Sequence, residues 1–70
     1  MNYQIAYIIY CIRKFAEQFG ITVKESFDYL YKYKGIKFLE DCYEAEHTLS
    51  FDDAVDDLTT VCLKHGGYLS

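Results

Sequence analysis

The sequence has no proline and no tryptophan, and it holds one methionine and three cysteines in 70 residues. Without proline, the chain lacks the residue that most strongly interrupts a helix. The cysteines, Cys11, Cys42 and Cys62, are odd in number and far apart, which excludes both a disulfide framework and the paired-cysteine pattern of a zinc site. We therefore expect a reducing, cytoplasmic location.

Positive charge is also scarce, with seven Lys and Arg residues against eleven Asp and Glu residues and a net charge of −4. Nucleic acids and anionic membranes are bound mainly through basic residues, so this acidic composition disfavours both partners. The apolar run from Ile5 to Ile12 is far shorter than the roughly 20 residues that span a bilayer. No basic segment precedes it, so we expect no signal peptide.

Hydrophobic residues make up 51% of the chain and aromatic residues 19%, including eight tyrosines. Seventy residues are enough for one domain, which we predict at residues 1–67, with residues 68–70 as a C-terminal tail. Tyrosine combines an apolar ring with a polar tip and is enriched at protein interfaces. The tyrosine content therefore favours a binding module.

The apolar residues recur at helical spacing and predict an all-α fold, a compact bundle of four short helices. The helices are expected at about residues 3–19, 23–34, 36–46 and 51–65. Thr22 and Glu25 form a capping-box pattern, and Ser50 with Asp53 forms a similar one. Gly20, Gly35 and Gly66 with Gly67 are expected to end helices.

The same periodicity predicts which side chains face the core. They are Ile5, Ile8, Ile9, Ile12, Phe15, Ala16 and Phe19, then Val23, Phe27, Leu30 and Tyr31, then Ile36, Leu39, Cys42 and Tyr43, and finally Phe51, Ala54, Val55, Leu58, Val61 and Cys62. Phe38 lies off this stripe.

One metal-binding pattern stands out, because Glu40, Glu44 and His47 are spaced i, i+4, i+7 on the predicted third helix. Di-iron bundles need two Glu-x-x-His elements and two further glutamates, and the chain has one such element. A small metal-binding protein is therefore the weaker alternative, and we expect no cofactor.

Cys62 lies on an apolar stripe, which is typical of a structural thiol, so we predict no enzymatic activity.

Two sets of residues predict an interaction surface. They are the tyrosines Tyr3, Tyr7, Tyr10, Tyr29 and Tyr33, and the aspartates Asp52, Asp53, Asp56 and Asp57. The tyrosines could complete a core that surrounds each helix, or they could form a docking surface for another protein or a second copy of the chain. We favour docking, because an apolar surround is uncommon in so small a domain.

Several stretches of the sequence, residues 3–12, 34–39, 41–50, 53–57 and 66–67, carry a family resemblance. Together they resemble the domain-of-unknown-function family numbered three-seven-nine-one, small bacterial proteins of gut anaerobes. The resemblance covers nearly the whole chain, and residues 43–48 are its most specific part. It implies no active site. It implies an antitoxin-like or accessory role beside an ADP-ribosyltransferase-like protein encoded in the same operon.

Overall fold

The computed structural model of the protein describes residues 2–67, so the tail predicted at residues 68–70 lies outside the described residues. Five helices follow one another in this range: α1 Tyr3–Phe19, α2 Val23–Lys32, α3 Gly35–Asp41, α4 Tyr43–Glu46 and α5 Phe51–Lys64. No strand occurs within residues 2–67, so the predicted all-α fold is confirmed. None of these helices has both the length and the apolar character needed to cross a membrane.

The helix ends follow from local side-chain chemistry. The Asn2 side chain accepts hydrogen bonds from the first backbone N–H groups of α1, and Gly20 ends this helix in the left-handed conformation, with φ 65°. Thr22 and Glu25 form the predicted capping box at the start of α2. Ser50 Oγ accepts from the Asp53 backbone N–H at 3.1 Å at the start of α5. These contacts satisfy backbone donors that have no partner within the helix.

The predicted third helix, 36–46, is in fact two helices that meet at Cys42, whose φ of −111° and ψ of 19° depart from helical values. The Cys42 carbonyl accepts from the backbone N–H groups of both Ala45 and Glu46, at 3.1 and 2.9 Å. The apolar spacing continues through this turn, which is why the sequence pattern predicted a single helix. The turn brings α4 against α1, where the Tyr7 and Tyr43 ring centroids are 5.5 Å apart.

Gly35 does not provide the left-handed cap that would end α2. Lys34 takes the left-handed conformation instead, with φ 72°, and Gly35 begins α3. A Cβ atom at Gly35 would lie 2.8 Å from Leu30 Cδ2 and 3.2 Å from Cys62 Sγ. Glycine is therefore needed at this position because α2, α3 and α5 approach one another closely there.

The buried apolar core is drawn from α1, α2, α3 and α5. Its members are Cys11, Ile12, Phe15, Ala16, Leu30, Leu39, Ala54, Val55, Leu58 and Cys62, all of which the periodicity predicted except Cys11. Ile8, Phe19 and Ile36 are half-buried against this core. Ile5, Ile9 and Phe51 were predicted to be buried, but they are exposed. They lie near the ends or at the margin of the buried faces of α1 and α5.

Of the α2 residues predicted to be buried, only Leu30 lies in the core. Val23, Phe27 and Tyr31 are exposed, so the prediction that they are buried is wrong. The buried face instead carries Ser26 and Leu30, and Ser26 Oγ donates to the Ile12 carbonyl at 2.7 Å. A hydroxyl can be buried at little cost when it is hydrogen-bonded, and this bond lets a serine replace an apolar residue at the α1–α2 contact.

Candidate interaction surface

The three tyrosines predicted to form a stripe on α1 differ in exposure. Tyr3 and Tyr10 are 79% and 57% exposed, whereas Tyr7 is half-buried. The ring centroids of Tyr7 and Tyr10 lie 5.8 and 5.9 Å from that of Phe51, the first residue of α5. Tyr7 and Tyr10 therefore meet the start of α5.

The start of α5 is also where the acidic residues follow. Asp52 and Asp53 come directly after Phe51 and are exposed. We call Tyr3, Tyr10, Phe51, Asp52 and Asp53 the acidic–aromatic surface. Asp56, one turn further along α5, is exposed as well, and Asp57 is half-buried.

The charge around this surface is strongly biased. Eight of the eleven Asp and Glu residues lie between Phe38 and Leu63, and no Lys or Arg lies in that stretch. Negative charge near a helix start is favoured by the helix dipole, which accounts for Asp52 and Asp53. The bias along the rest of the stretch means that a partner approaching α4 and α5 meets a negative field.

Tyr29 and Tyr33, also predicted as interaction residues, belong to the interior side of α2. The Tyr29 ring is stacked on Phe15 with 5.6 Å between centroids, and burial raises the pKa of Tyr29. A Cβ atom at Gly67 would lie 2.6 Å from Cγ of Tyr33, so the backbone of Gly67 packs directly on that ring. These two tyrosines complete the core, which was the other interpretation of the tyrosine pattern.

A second exposed apolar stripe lies on α2. Val23, Phe27 and Tyr31 follow i, i+4, i+8 spacing and are exposed, and the Phe27 and Tyr31 ring centroids are 5.9 Å apart. We call these three residues the α2 stripe. Sequence reasoning missed it as a surface because these three residues also follow helical spacing, and that spacing alone assigned them to the core.

A buried carboxyl group next to Tyr7 and Asp57 was also missed by sequence reasoning. Glu46 is 6% exposed, and its Oε1 atom has no hydrogen-bond partner among the described residues. Burial, and next the interaction with the Asp57 carboxyl group, raise the pKa of Glu46 to about 7. The Tyr7 hydroxyl donates to the Glu46 backbone carbonyl at 3.0 Å.

Two thiols are also buried, Cys11 beside Tyr7 and Cys62 beside Gly35, and burial lowers their reactivity. Burial raises the pKa of Cys11, which is fully enclosed, and raises that of Cys62 to about 11. A thiol needs access and a lowered pKa to act as a nucleophile. Both cysteines therefore behave as small apolar core residues.

The family comparison agrees with the resemblance seen in the sequence. Residues 6–65 match a family model described as "Protein of unknown function (DUF3791)". The chain belongs to this family. No curated protein and no solved structure matches the chain. The function of this DUF3791 protein must therefore be argued from its surfaces.

The metal-binding alternative finds no support in this DUF3791 protein. The turn at Cys42 falls between Glu40 and Glu44, so these residues no longer share one regular helix. Glu40, Glu44 and His47 are all exposed, and the His47 ring stacks on Tyr43 with 4.6 Å between centroids. Within residues 2–67, no three His, Cys, Asp or Glu side chains come together in a way that could hold a metal ion.

Proposed function

We propose that the protein is a non-enzymatic protein-interaction module that binds its partner through the acidic–aromatic surface. The observation that carries this proposal is the exposure of Tyr10 beside Phe51, with exposed Tyr3 two turns earlier on α1 and two exposed carboxylates directly after Phe51 in the sequence. Single exposed apolar residues are common, but a contiguous aromatic patch rimmed by charge is typical of an interaction site. Tyrosine is among the residues most enriched in binding hot spots.

The chemistry of the surface favours a partner with a basic face. Arginine can stack on a tyrosine ring and pair with a carboxylate in the same contact. Asp52 and Asp53 directly follow Phe51 and lie in a segment that lacks Lys and Arg. Such charge complementarity mainly accelerates association, and salt weakens it.

The partner we propose is the ADP-ribosyltransferase-like protein encoded in the same operon, with this chain in an antitoxin-like or accessory role in the cytoplasm. The family resemblance supports this choice, and the acidic–aromatic surface is compatible with it. A second copy of the chain is the other candidate partner. The two are separated by measuring the mass of the protein alone and with the neighbour, using size-exclusion chromatography with light scattering.

The binding experiment compares two tyrosines in similar settings. Tyr10 is 57% exposed with its ring centroid 5.9 Å from Phe51, and Tyr31 is 68% exposed with its centroid 5.9 Å from Phe27. In isothermal titration with the operon neighbour, we expect Tyr10→Ala to weaken binding about tenfold or more, as for a hot-spot residue. Tyr31→Ala is the matched control and should leave the Kd within about twofold.

A double variant tests the acidic half of the surface. Asp52→Asn with Asp53→Asn should slow association and flatten its salt dependence, because two charges facing the basic partner are lost. Loss of affinity in Tyr31→Ala but not in Tyr10→Ala would move the binding site to the α2 stripe. A strictly monomeric chain that does not bind the neighbour would refute the proposed function.

A further inference from the structure

A cavity of about 400 Å³ opens between α3 and the C-terminal end of α5, on residues outside the acidic–aromatic surface. Its half-buried lining consists of Phe38, Cys42 and Val61. Lys34 and His65 also line it and are exposed. The cavity is therefore apolar inside and carries basic groups at its opening.

The lysines give this site an excess of positive charge, although the chain as a whole is acidic. Lys34 and Lys37 line the cavity together with one acid, Asp41, in a chain whose net charge is −4. Lys37 Nζ lies 3.2 Å from Asp41 Oδ2, so part of its charge is already balanced. The lining therefore keeps an excess of about one positive charge, without counting His65.

We propose that this cavity binds a small organic carboxylate with an apolar body. The apolar body packs against Phe38 and Val61, and the carboxylate lies near Lys34 and Lys37. The volume lies within the range of small-molecule sites, which are mostly apolar and have a few polar groups that orient the ligand. A single carboxylate matches the excess charge better than a phosphate, because a dianion would need further cations or backbone donors.

The test is a titration of the full chain followed by ¹⁵N–¹H correlation spectra. The probes are 3-phenylpropionate and hexanoate, each compared with its own uncharged amide. We expect saturable shifts at Phe38, Val61 and His65 with at least one acid. The matching amide should bind about tenfold more weakly, because it lacks the charge-assisted contact with lysine.

Charge variants assign the contact to Lys37. Lys37→Gln should weaken carboxylate binding about fivefold, and Asp41→Asn should strengthen it about threefold by releasing the Lys37 ammonium group. Lys24 and Asp28 form the same i, i+4 pair at 3.2 Å on α2, outside the cavity lining. Lys24→Gln and Asp28→Asn are therefore the matched controls and should leave binding unchanged.

Three outcomes would overturn this proposal. The first is the absence of saturable shifts with both acids, and the second is an amide that binds as tightly as its acid. The third is a Lys24→Gln variant that weakens binding as much as Lys37→Gln does, which would indicate a general charge effect. None of them bears on the acidic–aromatic surface, so the two proposals fail or stand separately.

Discussion

Removing the charge of the buried Glu46 carboxyl should make the protein more stable at neutral and higher pH. Glu46 is almost fully buried, and burial is the main reason that its pKa rises from 4.5 to about 7. Between these values the folded protein holds a proton that the unfolded chain has released. The free energy of unfolding should therefore fall as the pH rises through this window and stay low above it.

The size of this effect follows from the pKa. At about 1.4 kcal/mol per tenfold change in the equilibrium constant, a pKa raised from 4.5 to about 7 corresponds to about 3 kcal/mol. That is a large part of the stability of about 3–10 kcal/mol expected for 70 residues. In the Glu46→Gln variant the side chain stays neutral, so its advantage over the wild type in free energy of unfolding should grow by about 2–3 kcal/mol between about pH 5 and about pH 8.

The measurement is urea unfolding followed by circular dichroism at intervals from about pH 5 to about pH 8. At each pH, the free energy of unfolding of the wild type is subtracted from that of Glu46→Gln, which cancels the contribution of the other titrating groups. Glu44→Gln is the control, because Glu44 lies on the same short helix but is exposed, and its difference should stay near zero. Asp57→Asn should shrink the pH dependence without abolishing it, because burial of Glu46 remains. A wild-type–Glu46→Gln difference that is the same at every pH would refute the raised pKa.

Three further predictions, two on backbone geometry and one on a buried hydroxyl, are measured by chemical or thermal unfolding. Lys34→Gly should stabilise the protein by about 0.5–1 kcal/mol, because a left-handed lysine is strained. Gly35→Ala should destabilise it by about 1–3 kcal/mol, because its Cβ would meet the buried Leu30 side chain at 2.8 Å. A less stable Lys34→Gly variant and a more stable Gly35→Ala variant would contradict the left-handed conformation of Lys34 and the close packing at Gly35. Ser26→Ala should cost about 1 kcal/mol through loss of the 2.7 Å bond to the Ile12 carbonyl, and an unchanged midpoint would show that this bond contributes nothing.

The sequence predicted the outer limits of the helices well where a local signal marks them. Gly20 takes the expected left-handed conformation, and Thr22 and Ser50 cap the helices that follow them. These signals act within one helical turn, so they do not depend on the rest of the fold. Gly35 was misinterpreted because its reason is a tertiary contact with Leu30 and Cys62, which no local pattern reveals.

The orientation of α2 could not be predicted from hydrophobicity alone. Its Val23–Phe27–Tyr31 stripe and its Ser26–Leu30 face both follow helical spacing. The buried face is the one on which a serine hydroxyl finds an α1 carbonyl and Tyr29 stacks on Phe15. Which of the two faces is buried therefore depends on partners in another helix. The same partners place Tyr29 and Tyr33 against the core and leave Tyr31 exposed.

The turn at Cys42 shapes the α3–α5 cavity, the buried Glu46 site and the acidic–aromatic surface. Nothing in the apolar pattern predicted this turn. It ends α3 so that the Cys42 side chain lines the α3–α5 cavity. It redirects α4 so that Tyr43 packs on Tyr7 and Glu46 is buried, with its backbone carbonyl accepting from the Tyr7 hydroxyl. A continuous helix over 36–46 would carry Glu44 and Glu46 onward along the axis of α3, away from α1. The buried acid and the support of the acidic–aromatic surface therefore both follow from this one interruption in the helix.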